Sequence, residues 1–283
     1  MSGLDVRMFT VGPVQENAYI VRAGSDASSA VIVDPGEEPQ RLLEAAAQLG
    51  VRLEAILITH CHFDHVGAVA PLARATGAPV WCPEAERPVL ADIMRWVPWE
   101  GFGPFESYEA DHTVAGGERL SLAGVEFEVV FTPGHSPGHV TYAATPAQSS
   151  SASARPPATP EQPPATPATP AGQPPATPAP AGSTPPPALL SGDVLFQGSV
   201  GRTDLPGSDW NVLERSIGTL LERFPPESVV YPGHMGVTTL GREAQANPFL
   251  SELRAAAAAR GASERGADAA PPVNVSPGGP ALS

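Results

Sequence analysis

The chain is poor in most features that would place it in a functional class at sight. Of its 283 residues only Cys61 and Cys82 are cysteine, too few for a disulfide framework and in keeping with a reducing compartment. Only 16 residues are basic, none of them in a run, and the net charge is −14 with a pI near 4.8. That argues against a nucleic-acid partner, because phosphate contacts need clustered Lys and Arg. No apolar stretch approaches the roughly 20 residues needed to span a membrane. The opening "MSGLDVRMFTVG" has neither the charged beginning nor the apolar segment of a signal peptide. A soluble cytoplasmic protein without membrane or nucleic-acid partners is the expectation.

Aromatic residues, and almost all charge, are also missing from residues 145–188, where 15 of the chain's 35 prolines fall, many in near-repeats of "PPATP". Such a tract buries too little apolar surface to offset its ordering entropy, so it is expected to be disordered and partly polyproline II. Residues 254–283 are expected to form a disordered tail for the same reason. The folded unit is then residues 1–253, interrupted at 145–188. Lengthening a loop from about 5 to about 44 residues costs only about 2 kcal/mol by the logarithmic closure law, so the tract reads as an insertion at a loop tip. An interdomain linker is the alternative, but neither flanking half has enough strands to close a core.

Outside the tract, short β-branched runs interleave with alanine- and leucine-rich stretches. "AYIVRAG", "AVIVDPG", "LEAILIT", "APVWCP", "ERLSLAG", "VEFEVVFT", "HVTYAA", "ALLSGD" and "SVVYPGH" read as strands. "EPQRLLEAAAQLG", "VGAVAPLARATG", "EAERPVLADIMRW" (interrupted near Pro88) and "DWNVLERSIGTLLERF" read as helices. The order lacks the strict rhythm of a doubly wound sheet, which favours two sheets with helices outside.

Histidine is the residue in local excess. Three of the seven crowd into "ITHCHFDHVG": His60 and His62 two apart at the end of a buried strand, then Asp64 and His65 as the chain turns into a helix. Imidazole and carboxylate together suit borderline divalent metals, zinc above all. Three further strand ends repeat the pattern with His135 in "FTPGHSPGH", Asp193 in "LLSGDVLF" and His234 in "VVYPGHMG", each with a glycine immediately before it for tight turns and close backbone approach. Seven ligand-type residues exceed what one zinc with an open position requires, so they suit two metals.

The order H-x-H-x-D-H, then His, Asp and His resembles the metallo-β-lactamase fold hydrolases. "VGPVQENAYIV", "VIVDPG", "TPGHSPGH", "GDVLFQGSVGRTDLPGSD" and "YPGHMGVTTLGREAQANPFL" are similar to the small bacterial hydroxyacylglutathione hydrolase (glyoxalase II)-like branch, from about Arg7 to Leu253. The resemblance implies an α/β fold, a four-layer αββα sandwich with the metal site at the sheet edge. It also implies one metal on His60, His62 and His135 and another on Asp64, His65 and His234, with Asp193 bridging. The expected ions are zinc, with iron or manganese as alternatives, and His60, His62 and Asp64 are the residues expected to carry catalysis. A metal-bridging hydroxide would then cleave small acyl thioesters such as hydroxyacylglutathione, whose thiolate leaves without strong acid help. Glyoxalase II proper has a C-terminal helical domain that helps bind glutathione. Here only about twenty structured residues are expected after His234, so the metal chemistry carries over and the thiol recognition does not.

Other residues carry two readings each. Cys61 is a packed thiol rather than a ligand, since neighbours on extended backbone point opposite ways. Asp34 either orients a ligand histidine through its other nitrogen or forms a turn, and His139 either supports the site or lines the substrate cleft, against a plain structural hydrogen bond. Arg202, Thr203 and Asp204 are expected to brace the site, and His112 to sit in a surface loop. The aromatic stretch around Trp96 to Tyr108 is either a lip over substrate or ordinary packing. The main rival function is a persulfide dioxygenase with one iron on His60, His135 and Asp193; its usual "GHT-x-G-C" and "PAHDY" are here "GHSPGH" and "PGHM".

Overall fold

The computed structural model describes residues 3–97, 100–147, 185–251 and 255. One six-stranded sheet is built in sequence order from β1 (Asp5–Val11), β2 (Glu16–Arg22), β3 (Ser29–Val33), β4 (Arg52–Leu57), β5 (Val80–Pro83) and β6 (His112–Val114). β1, β2 and β3 pair antiparallel, and β3 through β6 pair parallel. The parallel connections carry α1 (Pro39–Gln48) between β3 and β4, then α2 (Phe63–Val66) and α3 (Val69–Thr76) between β4 and β5, and α4 (Arg87–Ala91) between β5 and β6.

The second sheet contains β7 (Arg119–Leu122), β8 (Val125–Phe131), β9 (Val140–Pro146) and β10 (Ala188–Gly192) as an antiparallel meander. A small hairpin of β11 (Leu195–Phe196) and β12 (Ser199–Val200) follows, then α5 (Trp210–Arg223). β13 (Val229–Pro232) lies parallel to β10, β14 (Thr238–Thr239) closes that edge, and α6 (Leu240–Ala246) follows. Among the described residues no helix is long and apolar enough to cross a membrane.

Strand alternation divides the apolar side chains into three layers. Tyr19, Val31 and Leu57 of the first sheet meet Phe127, Val129 and Tyr142 of the second, while their neighbours Ile20, Ile32 and Ile56 face outward onto Leu42 of α1 and Leu72 of α3. On the other side Val130, Ala143 and Leu189 meet Leu213, Ile217 and Leu220, the apolar stripe of α5. Helices outside two facing sheets make the expected αββα sandwich. α5 starts where the Asp209 side chain accepts from Val212 N, and α1 starts with Pro39 in its first turn, where a missing N–H costs nothing.

Several local expectations change. Pro88 does not interrupt a helix but sits in the first turn of α4, flanked by 3-10 turns at Glu84–Glu86 and Ile93–Trp96. β1, α6 and the strand β6 that contains His112 were not expected. His112 is therefore an exposed edge-strand residue, its ring stacked on Trp81 at 4.2 Å, and not a loop residue. β9 runs to Pro146 and β10 starts at Ala188, so both ends of the expected tract are strand; residues 148–184 and 256–283 lie outside the described residues. The two strands pair directly, Leu190 against Tyr142, so the tract joins adjacent antiparallel neighbours.

Candidate metal centre

All seven ligand-type residues lie just past the C-terminal ends of strands, four after β4 and one each after β8, β10 and β13. His62 has extended dihedrals (φ −66°, ψ 148°) as the cap of α2, which places Asp64 and His65 in the first helical turn. The turn brings these side chains back toward the strand end that carries His60.

His60, His62 and His135 form one group. His62 Nδ1 lies 3.0 Å from His60 Nε2 and 2.8 Å from His135 Nε2. The outward nitrogens decide where the protons sit. Arg202 O can only accept, so His135 Nδ1 donates to it at 2.9 Å and Nε2 keeps its lone pair. Thr59 Oγ1 already donates to Asp34 Oδ2 at 2.6 Å, so His60 Nδ1 donates to that hydroxyl at 3.1 Å and its Nε2 is likewise a lone pair. Two lone pairs then face one nitrogen that can offer a single proton. A cation held among the three rings resolves this conflict, and three imidazoles suit a borderline divalent metal.

The second group is Asp64, His65 and His234, with His234 Nε2 3.3 Å from Asp64 Oδ2 and His65 Nε2 3.9 Å from the same oxygen. Their outward nitrogens are again occupied, His65 Nδ1 by Asp34 Oδ2 at 3.1 Å and His234 Nδ1 by Gln15 O at 3.3 Å. His65 Nε2 and Asp193 Oδ1 are both buried without a hydrogen-bond partner. Buried polar atoms are rarely left so, and an ion bound between them would complete both. Asp193 faces both groups: Oδ1 is 3.4 Å from His65 Nε2, and Oδ2 is 3.4 Å from His135 Nε2 and 3.6 Å from His234 Nε2.

The electrostatics differ between the groups. Burial, reinforced by the His135 ring, pulls His62 down to about 4, and burial with the neighbouring imidazoles holds His60 well below its ordinary value. Burial also works against the charged form of His65, yet the carboxylates of Asp193 and Asp64 outweigh it and raise its pKa well above the usual value. Asp193 is the counterpart: burial opposes its ionisation, but His65 and His135 hold it ionised, far below the usual carboxylate range. The three-histidine side thus disfavours protonation at His60 and His62, while the carboxylates Asp64 and Asp193 draw positive charge to the other side.

The glycines before the ligands are needed for contact. At Gly192 (φ +46°) a Cβ would collide with Thr59 Oγ1 and lie 2.6 Å from His139 Nε2. At Gly233 it would run into Asp193 Oδ1 and meet His65 Cε1 at 2.6 Å.

The supporting residues divide. Asp34 accepts from Thr59 N at 2.7 Å and Thr59 Oγ1 at 2.6 Å while holding His65 Nδ1, which is the orienting role. Although Asp34, His60 and His65 cluster closely enough to hold an ion, Asp34's oxygens are already taken up by these bonds, so it stands behind the ligands. His139 is fully buried, accepts from Asp193 N at 3.0 Å and reaches Thr132 Oγ1 at 3.1 Å, so it fixes the Asp193 backbone and cannot line a cleft. Arg202 reaches the site through its carbonyl, which His135 bonds, while its guanidinium pairs with Asp204 in solvent.

Cys61 points away from the rings into the core, its Sγ 3.5 Å from Cys82 Sγ. Phe102, Phe105 and Tyr108 pack against the outer layer of the first sheet, with Phe102 edge-on to Phe63 at 5.1 Å, while Trp96 is 53% exposed; Pro98 and Trp99 lie outside the described residues.

Besides Thr59 and Gln15, whose oxygens meet His60 and His234, two further residues at the site were not anticipated. Asn17 donates through Nδ2 to Pro232 O at 3.1 Å and Met235 O at 2.9 Å, clamping both flanks of His234. Glu16 beside it is fully buried with neither oxygen paired, 3.7 Å from His65 Nδ1, and burial raises its pKa strongly. Only their place in "QENAY" could have marked them.

Comparison with known proteins agrees with this geometry. Residues 11–145 match the model of the Metallo-beta-lactamase superfamily. The chain is 28% identical over 250 residues to "Hydroxyacylglutathione hydrolase GloC" of Haemophilus influenzae, covering 88% of this chain and 99% of that one. Among solved structures, the BLEG-1 B3 metallo-beta-lactamase is 32% identical with a TM-score of 0.68, covering 87% of this chain and all of the other. TTHA1623 in a di-iron-bound form is 38% identical with a TM-score of 0.60, covering 86% and 100%. Matched over 86–87% of its length by solved structures above 30% identity, and by the superfamily's model over residues 11–145, the chain belongs to the metallo-beta-lactamase superfamily.

Proposed function

We propose that the protein is a dinuclear metallo-hydrolase of small acyl thioesters. The observation that carries it is Asp193, one carboxylate facing both ligand groups. In this reading His60, His62 and His135 hold one divalent ion, zinc by preference of the three imidazoles, and Asp64, His65 and His234 hold the other. Such an ion pair, when bound, supplies an activated water as nucleophile and polarises the thioester carbonyl. The chain's own part is orientation: Thr59, Asp34, Gln15 O and Arg202 O fix four imidazoles in the tautomer that turns a lone pair inward. Asp193, ionised and anchored through its backbone by His139, holds the two groups together. A thiolate leaves without a strong proton donor, which suits a site that offers none beyond these groups. The named activity of the Haemophilus relative supports this substrate class.

Purified protein should carry metal and hydrolyse lactoylglutathione. Transfer of the same acyl group to another small thiol should change kcat/KM by less than about a hundredfold, because selectivity needs dedicated thiol contacts. Preference by several thousandfold would reveal a thiol site. The di-iron relative keeps iron chemistry as a second reading. Oxygen consumption with a persulfide, in the absence of thioester turnover, would favour it, and turnover of a β-lactam alone would point to the lactamase relative.

A further inference from the structure

Glu86 is a carboxylate in an unexpected place. It ends the 3-10 turn after β5, is only 4% exposed, and lies behind the three-histidine group. Its Oε1 accepts from Ser136 Oγ at 2.8 Å and from Gly138 N at 2.7 Å, and its Oε2 accepts a longer bond from Cys61 N at 3.4 Å. All three partners donate, so the side chain acts purely as an acceptor, and charge-assisted acceptors of this kind make the stronger hydrogen bonds. Cys61 lies between His60 and His62, and Ser136 follows His135. The first loop leaves the first sheet and the second leaves the other sheet, so one carboxylate joins the two loops that supply the three histidines.

The approach is built into the backbone. A Cβ on Gly138 would lie 2.7 Å from Glu86 Cγ and 2.9 Å from Oε1, so the second loop comes this close only with glycine there. Burying a carboxylate is costly unless its bonds are well formed, and an apolar side chain would pack this gap more cheaply if packing were its only task.

We infer that Glu86 is a positioning residue that sets the separation of His60 and His62 from His135, and so the affinity of the ion those three hold. The inference rests on the dinuclear reading above. In Glu86→Gln the amide oxygen can still serve Ser136 and Gly138, but its NH2 group then faces Cys61 N, donor against donor. In Glu86→Ala all three bonds are lost.

Metal-free wild type, Glu86→Gln, Glu86→Ala and Asp34→Asn would each be titrated with Zn2+ against a chelating indicator, with kcat and KM measured after reloading. Wild type should take up two equivalents. Glu86→Ala should lose about ten- to a hundredfold in affinity for one equivalent, the range for residues that support metal ligands, with Glu86→Gln between it and wild type. The Asp34 carboxylate holds His65 directly and His60 through Thr59, so Asp34→Asn should weaken both equivalents, and in the Glu86 variants kcat should fall while KM stays. Equal weakening of both equivalents in the Glu86 variants, or wild-type affinity for both in a folded Glu86→Gln, overturns the inference and leaves the dinuclear reading intact. If Glu86→Ala fails to fold, Glu86→Gln alone decides. A wild type that binds no metal overturns the dinuclear reading, and the inference falls with it.

Discussion

The two halves of the centre use similar residues but are held differently. His60 and His135 are buried, and their outward nitrogens bond to a hydroxyl and a carbonyl from the body of the fold. His234 keeps 22% of its side chain in solvent, follows the last long strand of its sheet, and has a left-handed Met235 (φ +68°) immediately after it. Its Nδ1 bond to Gln15 O is the longest of the four anchoring bonds, at 3.3 Å. One half is set by packing, the other by a clamp across the two sheets at Asn17. Affinity should therefore be asymmetric, with the three-histidine half filling first.

The largest effect should come from residues that serve the deep half or both halves. His62→Ala and Asp193→Ala should lose metal and activity together, by more than the roughly hundredfold expected of a supporting residue; metal analysis alongside turnover checks this, and full activity in His62→Ala would refute the assignment. His234→Ala should come next, retaining one equivalent of metal and losing the second, so that metal content halves while the remaining ion is held as before. Equal loss of both would erase the asymmetry. Asp34→Asn should reduce affinity about tenfold to a hundredfold, since a single amide oxygen cannot replace both carboxylate oxygens and the NH2 group must face one of the donors from Thr59 or His65. The smallest effect is expected far from the centre: replacing residues 148–184 with a short Gly-Asn turn should leave kcat/KM unchanged. It should raise stability by no more than about 2 kcal/mol, the closure entropy of the longer loop. A large loss of activity in the folded variant would show that the tract acts on the site.

What was legible in the sequence followed from periodicity and ligand chemistry. β4 ends in an apolar run buried on both faces, β8 alternates over its first five residues, α5 repeats its apolar stripe at helical spacing, and imidazoles at strand ends identify themselves by type. β1 escaped because an edge strand with three of its seven positions partly buried and three exposed carries a weak alternation. α6 escaped because its buried face holds Leu240 and Glu243; the carboxylate serves Gly198 N, Thr238 Oγ1 and Asn247 Nδ2, and hydrogen bonding of that kind leaves no hydrophobic period. Asn17 and Glu86 were hidden for the same reason. Their partners are backbone groups and a hydroxyl far along the chain, and nothing in "QENAY" or "EAERP" says which loop will arrive beside them. At Arg202 the part in contact with a ligand is the carbonyl, which no side-chain chemistry could have announced.

The ligands come from strand ends between His60 and His234, across both sheets, in a chain whose two cysteines are both free. In the unfolded chain His135, Asp193 and His234 are far from the cluster at residues 60–65, so an ion that needs them together with that cluster binds the native form much more tightly. Such an ion is a reversible staple. At a hundredfold excess over its dissociation constant it adds about 2.7 kcal/mol by mass action, a sizeable part of an ordinary domain's stability. The folded fraction of this protein, and with it its lifetime against proteolysis, should then follow the free metal concentration around it, and a chelator should lower its melting temperature before any substrate is present.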